Sequence, residues 1–460
     1  MLIILDACFS CLLQHSNDLM KGHMQNNTQK TNVRPTKLMN KNFFLLWQGQ
    51  TVSQIGTQAF AIAMMYWIKR TTGSATLMGL IMMFSYLPSV FLAPLGGTFA
   101  DRHSRRKIII FSDVISGIVV LTLAGLMFIT PESQTLIIIW LFIVAVIIAI
   151  VGSFFRPAII AAIPDIVPVD KVAGANSLNQ FSVQLSTFLG QALGGVLFRI
   201  LGAPILFLID GITYLFSAGS ESFITIPQKI SESVSTRRER LGEYKKDLIE
   251  GFKYIWQRTG MKSILLIAAA LNFFAWPIIL LLPFYVDDFL KVTADWYGFL
   301  LAAFSIGSMI GYLFAGALKI PGKTRSVIII IFLVCQSIAF GILGFILIPL
   351  ISLFILLLVG TMNGFININV ITVLQVSTPS EIRGRIFGFL HTLTQALTPI
   401  SMALAGVVAD ITNQNIPLIY LVCGTIMIFI SISIYVVKEA RDYLAFEYQE
   451  RPDRQNEKQS

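Results

Sequence analysis

Apolar residues in this chain fall in long runs broken by short polar loops, not at the alternate positions of a half-buried strand. Twelve runs are long enough to cross a bilayer core as helices, which takes about 20 residues each. They lie near 43–68, 77–99, 108–130, 134–156, 177–200, 203–226, 263–287, 297–318, 327–348, 350–374, 386–409 and 416–437. The predicted fold class is therefore an all-α membrane protein of twelve transmembrane helices. The longest polar interruption, 227–262, divides them into two six-helix bundles, 39–226 and 263–437. Within it Leu241, Tyr244, Leu248, Phe252 and Ile255 recur at helical spacing among charged residues, which predicts an amphipathic helix on the membrane face.

The halves repeat each other's punctuation. The second run ends at Gly96 and Gly97 and enters a basic loop closing at Lys107; the eighth ends at Gly316 and enters Lys319, Lys323 and Arg325. After the fourth comes Pro168 to Gly174, and after the tenth Pro379 to Gly384. Such repeats typify secondary transporters with a central site between halves. The ends fit neither half. Residues 1–38 hold an apolar stretch too short to span and interrupted by Asp6, expected to be a disordered extension, or an over-long start with the true one at Met39. Residues 438–460 are expected to be a cytoplasmic tail.

Composition narrows the class. Of 460 residues 55% are apolar and 13% charged, with mean hydropathy +0.74. A soluble chain has about 25% charged residues, so a soluble enzyme, a disordered scaffold and a secreted disulfide module are excluded. The net charge of +9 reflects topology and not a nucleic-acid partner: 30 of the 34 Lys and Arg fall on the side that holds both termini. Only Lys69, Arg70, Arg199 and Lys291 fall on the other side. The positive-inside rule then places both termini in the cytoplasm, and the expected location is the cell membrane. Cys8, Cys11, Cys335 and Cys423 make no disulfide framework or metal set.

Enzyme signatures are missing: there is no phosphate-binding loop, and no H-E-x-x-H or paired intramembrane carboxylates offer a metal or protease site. The candidate intramembrane acids are Asp113, Asp210 and Glu221, each costing at least ~2.5–3.5 kcal/mol at mid-bilayer unless partnered or wetted. Asp210, Tyr214, Ser217 and Glu221 share one helical face. These acids are read either as proton or cation carriers or as structural acids satisfied by neighbouring helices. Asp287 and Asp288 lie at the outer end of the seventh run, within reach of water. Amides form stripes on several runs: Gln50, Gln54 and Gln58, then Gln184, then Asn272 beside Trp276, then Asn363 and Asn367, then Gln395. They are read as lining a wet cavity for an amphipathic solute, or as hydrogen-bonding glue between helices.

The loop Gly97-Thr-Phe-Ala-Asp-Arg-His-Ser-Arg-Arg106 resembles the signature G-x-L-A-D-R-x-G-R-K of the major facilitator superfamily, matching at Gly97, Ala100, Asp101, Arg102 and Arg105. Phe155-Arg-Pro-Ala158, Ile163 to Pro168, Gly174 to Leu178, Gly190 to Gly195, Asp210 and Arg383 to Phe387 resemble its drug-exporter branch, which includes macrolide efflux proteins and the enterobactin exporter. The sequence departs from the branch in having no charge in the fourth run before Arg156, and Gln191 where a proline is common.

The resemblance implies alternating access by two rocking halves. It implies a gating loop of Gly97, Asp101, Arg102, Arg105 and Arg106, and helix packing at Gly190, Gly194 and Gly195. The expected function is a monomeric secondary transporter that exports a lipophilic, macrolide-like drug or metabolite in antiport with protons, the proton gradient serving in place of a cofactor. A siderophore exporter of the same fold is the alternative. A membrane-embedded enzyme or a non-transporting sensor is the alternative of another class.

Overall fold

A computed structural model describes residues 37–228, 249–250, 252–318, 320–378 and 383–446. Asn40 opens the first helix by accepting the Phe43 amide at 3.1 Å, and the helix runs Lys41–Thr72 (α1). Gly73, at φ 63°, closes it in the left-handed region, which costs a residue without a Cβ little. Ser74 then caps Ala75–Arg102 (α2) through the Leu77 amide at 3.2 Å. Ser104 caps Arg105–Ile129 (α3), and Gln134–Ile166 (α4) follows.

The helical run Val172–Glu221 is two crossings: Gly202 at φ 77°, followed by Pro204, breaks it into 172–201 (α5) and 203–221 (α6). The second half holds Thr259–Leu280 (α7), continued by Leu282–Phe284 and a π-helical turn Tyr285–Phe289. Asp295–Ala317 (α8), Gly322–Leu343 (α9), Pro349–Ser377 (α10), Arg383–Ile411 (α11) and Ile416–Val436 (α12) complete it.

The described residues are all-helical, and the twelve crossings match the number read from the sequence. Nine described segments are apolar and long enough to cross a membrane by composition alone, with α5 and α6 joined as one and α1 and α11 falling short. In α1 the shortfall has a cause: Gln48, Gln50, Thr51, Gln54, Thr57 and Gln58 dilute its hydropathy. Large apolar side chains including Phe91, Leu313, Phe429 and Val436 stand exposed around the bundle. On a soluble monomer such a surface would drive association; here it faces lipid in a multi-pass membrane protein.

The start of the expected tail is a folded element. Lys438–Leu444 (α13) buries Ala440 and Leu444 against the second half, and Arg325 donates to the Leu444 carbonyl at 3.2 Å. Of the expected linker helix, Leu241, Tyr244 and Leu248 lie outside the described residues. In the part described, Ile255 is buried while Phe252 and Trp256 stack on each other and stay exposed. The extension 1–36 and residues 447–460 also lie outside the described residues.

One end of the bundle carries the loops with Arg102, Arg105, Lys171, Arg258, Lys323 and Arg325, and is called here the basic face. The other is the far face. One apolar core takes side chains from both halves, Tyr66, Met78 and Phe207 together with Ile278, Phe284 and Tyr420. Toward the basic face the described buried residues fall into separate clusters. Phe43, Ile108, Ile163 and Ile166 belong to a cluster of the first half alone, while Ile264, Ile329 and Ile434, and Met261 and Leu374, form clusters of the second.

Candidate functional site

The halves are tied together at the far face by charges of opposite sign. Lys69, near the end of α1, reaches Asp287 at 3.0 Å and Asp288 at 2.9 Å beyond α7. Lys69 is 8% exposed and Asp287 15%, so this pair is largely desolvated. The Tyr66 hydroxyl donates to Asp287 at 3.2 Å and Arg70 approaches it at 3.7 Å. On another side of the same face Arg199 at the end of α5 stands 3.7 Å from Asp295, the first residue of α8.

A third tie is a helix cap supplied across the halves. Asp410 at the end of α11 accepts the Ser74 hydroxyl at 2.8 Å and the Ala75 and Thr76 amides at 3.0 and 2.9 Å. Those amides open α2 and have no intrahelical partner, so a carboxylate there meets both the orphan donors and the positive end of the helix dipole. Below the caps the backbones touch. At Gly195 a Cβ would sit 3.0 Å from the Asp295 carbonyl and 3.1 Å from the Gly298 Cα. Gln191 continues this contact inward by accepting the Ser305 hydroxyl at 2.7 Å. Between α2 and α7 the closure reaches Tyr86, whose ring lies 6.4 Å from that of Trp276. Tyr86 is about 16 Å along α2 from Ala75, so the closure spans about half of a 30 Å core.

The candidate cavity residues sit around and beyond that closure. Trp276 is half-buried, and one turn nearer the basic face Asn272 is exposed and donates to the Ala268 carbonyl at 2.9 Å. Gln54, Gln58, Gln184 and Asn363 are half-buried and Asn367 is exposed; the side chain of Gln395 lies outside the described ones. Gln54 leaves its Oε1 buried without a partner, whereas Gln58 packs through its Cβ where α5 passes at Gly190. Gly194 faces Ala59 and Ile62 of the same helix. Of the helix-packing glycines, Gly190 and Gly194 thus seat α5 on α1, and Gly195 seats it on α8.

Gln50 leaves the stripe that the sequence placed it in. Its amide donates to Glu221 at 2.7 Å, to the Ser217 hydroxyl at 3.3 Å and toward Asp113 at 3.5 Å. Asp113, Asp210 and Glu221 are all buried in a seam between α1, α3 and α6. Asp210 faces the Thr57 hydroxyl at 3.5 Å, which itself lies 3.0 Å from that of Tyr214. Asp210 has hydroxyl neighbours and, among the described residues, no carboxyl hydrogen-bonded to it, and its Oδ2 is buried with no hydrogen-bond partner. Asp210→Asn is expected to keep transport within about threefold of wild type, a cost near one neutral hydrogen bond. Asp210→Lys is expected to lose folded protein, because it buries an unpaired cation; efflux normalised to membrane-inserted protein checks both.

In the loop after α2, Arg105 pairs with Asp165 and donates to the Ala161 carbonyl at 2.9 Å, both near the end of α4. The Arg105 amide donates to the Gln228 side chain at 2.9 Å, and Arg106 to the Ser222 carbonyl. These ties hold the loop to its own half. Arg102 is half-buried, no neighbour crowds Gly97, and the Asp101 side chain lies outside the described ones.

The far-face ties escape a reading that takes loop charges only as topology signals. Their signal was present: Lys69, Arg70 and Arg199 belong to the first half, and Asp287, Asp288, Asp295 and Asp410 to the second.

Twelve helices in two halves, tied at one face and with separate clusters of described buried residues at the other, have the architecture of a membrane transporter. The chain belongs to the Major Facilitator Superfamily, whose family model matches residues 46–402. It is 24% identical to macrolide efflux protein A of Streptococcus pyogenes over 406 residues, 87% of this chain and 96% of that one. It is 23% identical to the multidrug efflux pump Tap of Mycolicibacterium fortuitum over 387 residues, 80% of this chain and 90% of that one. With the enterobactin exporter EntS of Shigella boydii it shares 24% identity over 367 residues, 79% of this chain and 84% of that one. Among solved structures it resembles an inward-facing, unoccupied bacterial homologue of the human lysosomal transporter Spinster. The TM-score is 0.65 at 15% identity, covering 89% of this chain and 97% of that one; at that identity the likeness is one of fold.

Proposed function

We propose that this transporter exports a lipophilic, macrolide-like drug or metabolite across the plasma membrane in antiport with protons. The observation that carries the reading is the asymmetry between the faces. One largely desolvated ion pair with further, more exposed ones, a cross-half helix cap and glycine contacts tie the halves at the far face, while the described buried residues fall into separate clusters toward the basic face. With 30 of 34 basic residues on the terminal side, the basic face is cytoplasmic, so this conformation loads substrate from the cell interior. Rocking the halves breaks the far-face ties and exposes the same amide- and aromatic-lined space to the outside. Trp276, Asn272, Gln54, Gln184 and Asn363 are the side chains proposed to hold a large amphipathic solute. Three relatives whose names denote efflux or export support the direction.

Inverted membrane vesicles holding the protein, energised with a proton gradient, are expected to accumulate a radiolabelled macrolide and to stop when a protonophore collapses the gradient. Uptake that ignores the protonophore would overturn proton antiport. Accumulation of a catecholate siderophore but no macrolide would replace the substrate class by the second reading, which rests on the match to the enterobactin exporter.

A further inference from the structure

We propose that Asp113 and Glu221, bridged by Gln50, form the proton-binding site of this transporter, a carboxyl pair that holds one shared proton and releases it toward the basic face. This rests on the antiport reading above. The pair is assembled from three helices: Asp113 lies two turns into α3, Glu221 ends α6, and Gln50 comes from α1. Asp113 is 2% exposed, Glu221 1% and Gln50 5%. One amide nitrogen, that of Gln50, reaches both carboxyls, Glu221 at 2.7 Å and Asp113 at 3.5 Å, and also the Ser217 hydroxyl at 3.3 Å. Two carboxylates held on one donor in a buried seam repel each other, and one shared proton relieves that repulsion. Glu221 Oε2 is buried with no hydrogen-bond partner, an open position on the pair itself.

The surroundings favour a proton over a metal ion or a fixed salt bridge. No lysine or arginine among the described residues makes an ion pair with Asp113 or Glu221. From α3, Arg106 donates to the Ser222 carbonyl, and from α4, Arg156 is exposed. The ionisable groups that face the pair from α6 are Asp210 and Tyr214, and α1 offers only neutral side chains, Gln50 and Ser53. The amide nitrogen of Gln50 stands between the carboxyls, where a metal ion would need an oxygen ligand. Two like charges in contact in such a place repel strongly, so gain or loss of the one proton changes how well α1 seats against α3 and α6. The same helix carries Lys69 in its last turn, which joins the proton site to the far-face closure along one rigid element.

Asp113→Asn and Glu221→Gln preserve shape and hydrogen bonding and remove the acid. In purified wild-type protein, the infrared pH-difference spectrum is expected to show a carboxylic C=O band that both variants lose. A band unchanged in both would overturn the site without reference to any substrate. In proteoliposomes loaded with a radiolabelled macrolide, both variants are expected to keep substrate exchange at equal pH and to lose efflux driven by a pH gradient. Gradient-driven efflux retained in well-inserted Asp113→Asn and Glu221→Gln, with wild type also driven, would overturn the pair alone. A wild type that exchanges macrolide but ignores the gradient would overturn the antiport reading and the proposal with it.

Discussion

Replacing Lys69 by alanine is expected to open the far face and stall the transport cycle. In the closed form the Lys69 ammonium holds Asp287 at 3.0 Å with little access to water, and the exposed Asp288 at 2.9 Å. Removing one partner of a buried pair costs about 3–5 kcal/mol, because the other charge stays desolvated. Tyr66 and Arg70 remain beside Asp287, which puts the cost near the lower end. A cost of about 3 kcal/mol moves an equilibrium by about a hundredfold. Opening rehydrates Asp287, so the penalty falls on the closed state and not on the folded chain. Labelling of a far-face cysteine by an impermeant reagent should therefore rise sharply in Lys69→Ala while expression holds and efflux falls. The exchange Lys69→Asp with Asp287→Lys should recover part of both. Unchanged labelling in Lys69→Ala would remove this tie from the gate.

The architecture was legible because a bilayer leaves few choices. Every backbone group must be paired within the membrane, so long apolar runs become helices, and their number follows from counting. The break at 202–204 could be placed because Gly202 and Pro204 interrupt one apolar stretch, although the helix ends themselves drifted by several residues. The loop after α2 was legible as a motif, but not as a contact: that Arg105 turns to Asp165 depends on where α4 ends in space. The acids were legible as costly residues on one face of α6, yet their partners came from α1 and α3. Gln50 shows why. Its spacing matches Gln54 and Gln58, but over eight residues the face of a helix turns by about 80°, enough to carry Gln50 from α5 round to α6.

The far-face ties were illegible for a related reason. A charge near a helix end reads first as an orientation signal, and that reading exhausts what one strand of sequence offers. Only the juxtaposition of α1 with α7, α2 with α11 and α5 with α8 turns seven such charges into a lock. Asp410 is the extreme case, since it caps a helix 334 residues away in the chain. At that face the paired charges of the first half are all basic and those of the second all acidic, whereas Glu132 and Lys291, of the reverse signs, take no part in the ties described.

Valine at Gly298 is expected to prevent closure by bulk where Lys69→Ala weakens it by charge. Gly298 lies in α8 against α5, where a Cβ would stand 3.1 Å from the Gly195 Cα and press on the Gln191 carbonyl oxygen. Both obstacles are backbone, so no side chain can rotate away. Overpacking of this kind costs about 1–3 kcal/mol where neighbours yield, and two helix backbones yield less. The strain exists only while the far face is shut, so Gly298→Val should insert and fold yet rest open to the far side. Efflux is expected to fall at least about tenfold, with Gly298→Ala intermediate, which separates a steric gate from a folding defect. Impermeant labelling at the far face should rise in the same order, while hydrogen exchange in α3 and α4, remote from the contact, stays at its wild-type rate. Wild-type efflux in a well-expressed Gly298→Val protein would mean that the halves close without this backbone approach, and the far-face contact would then not belong to the cycle.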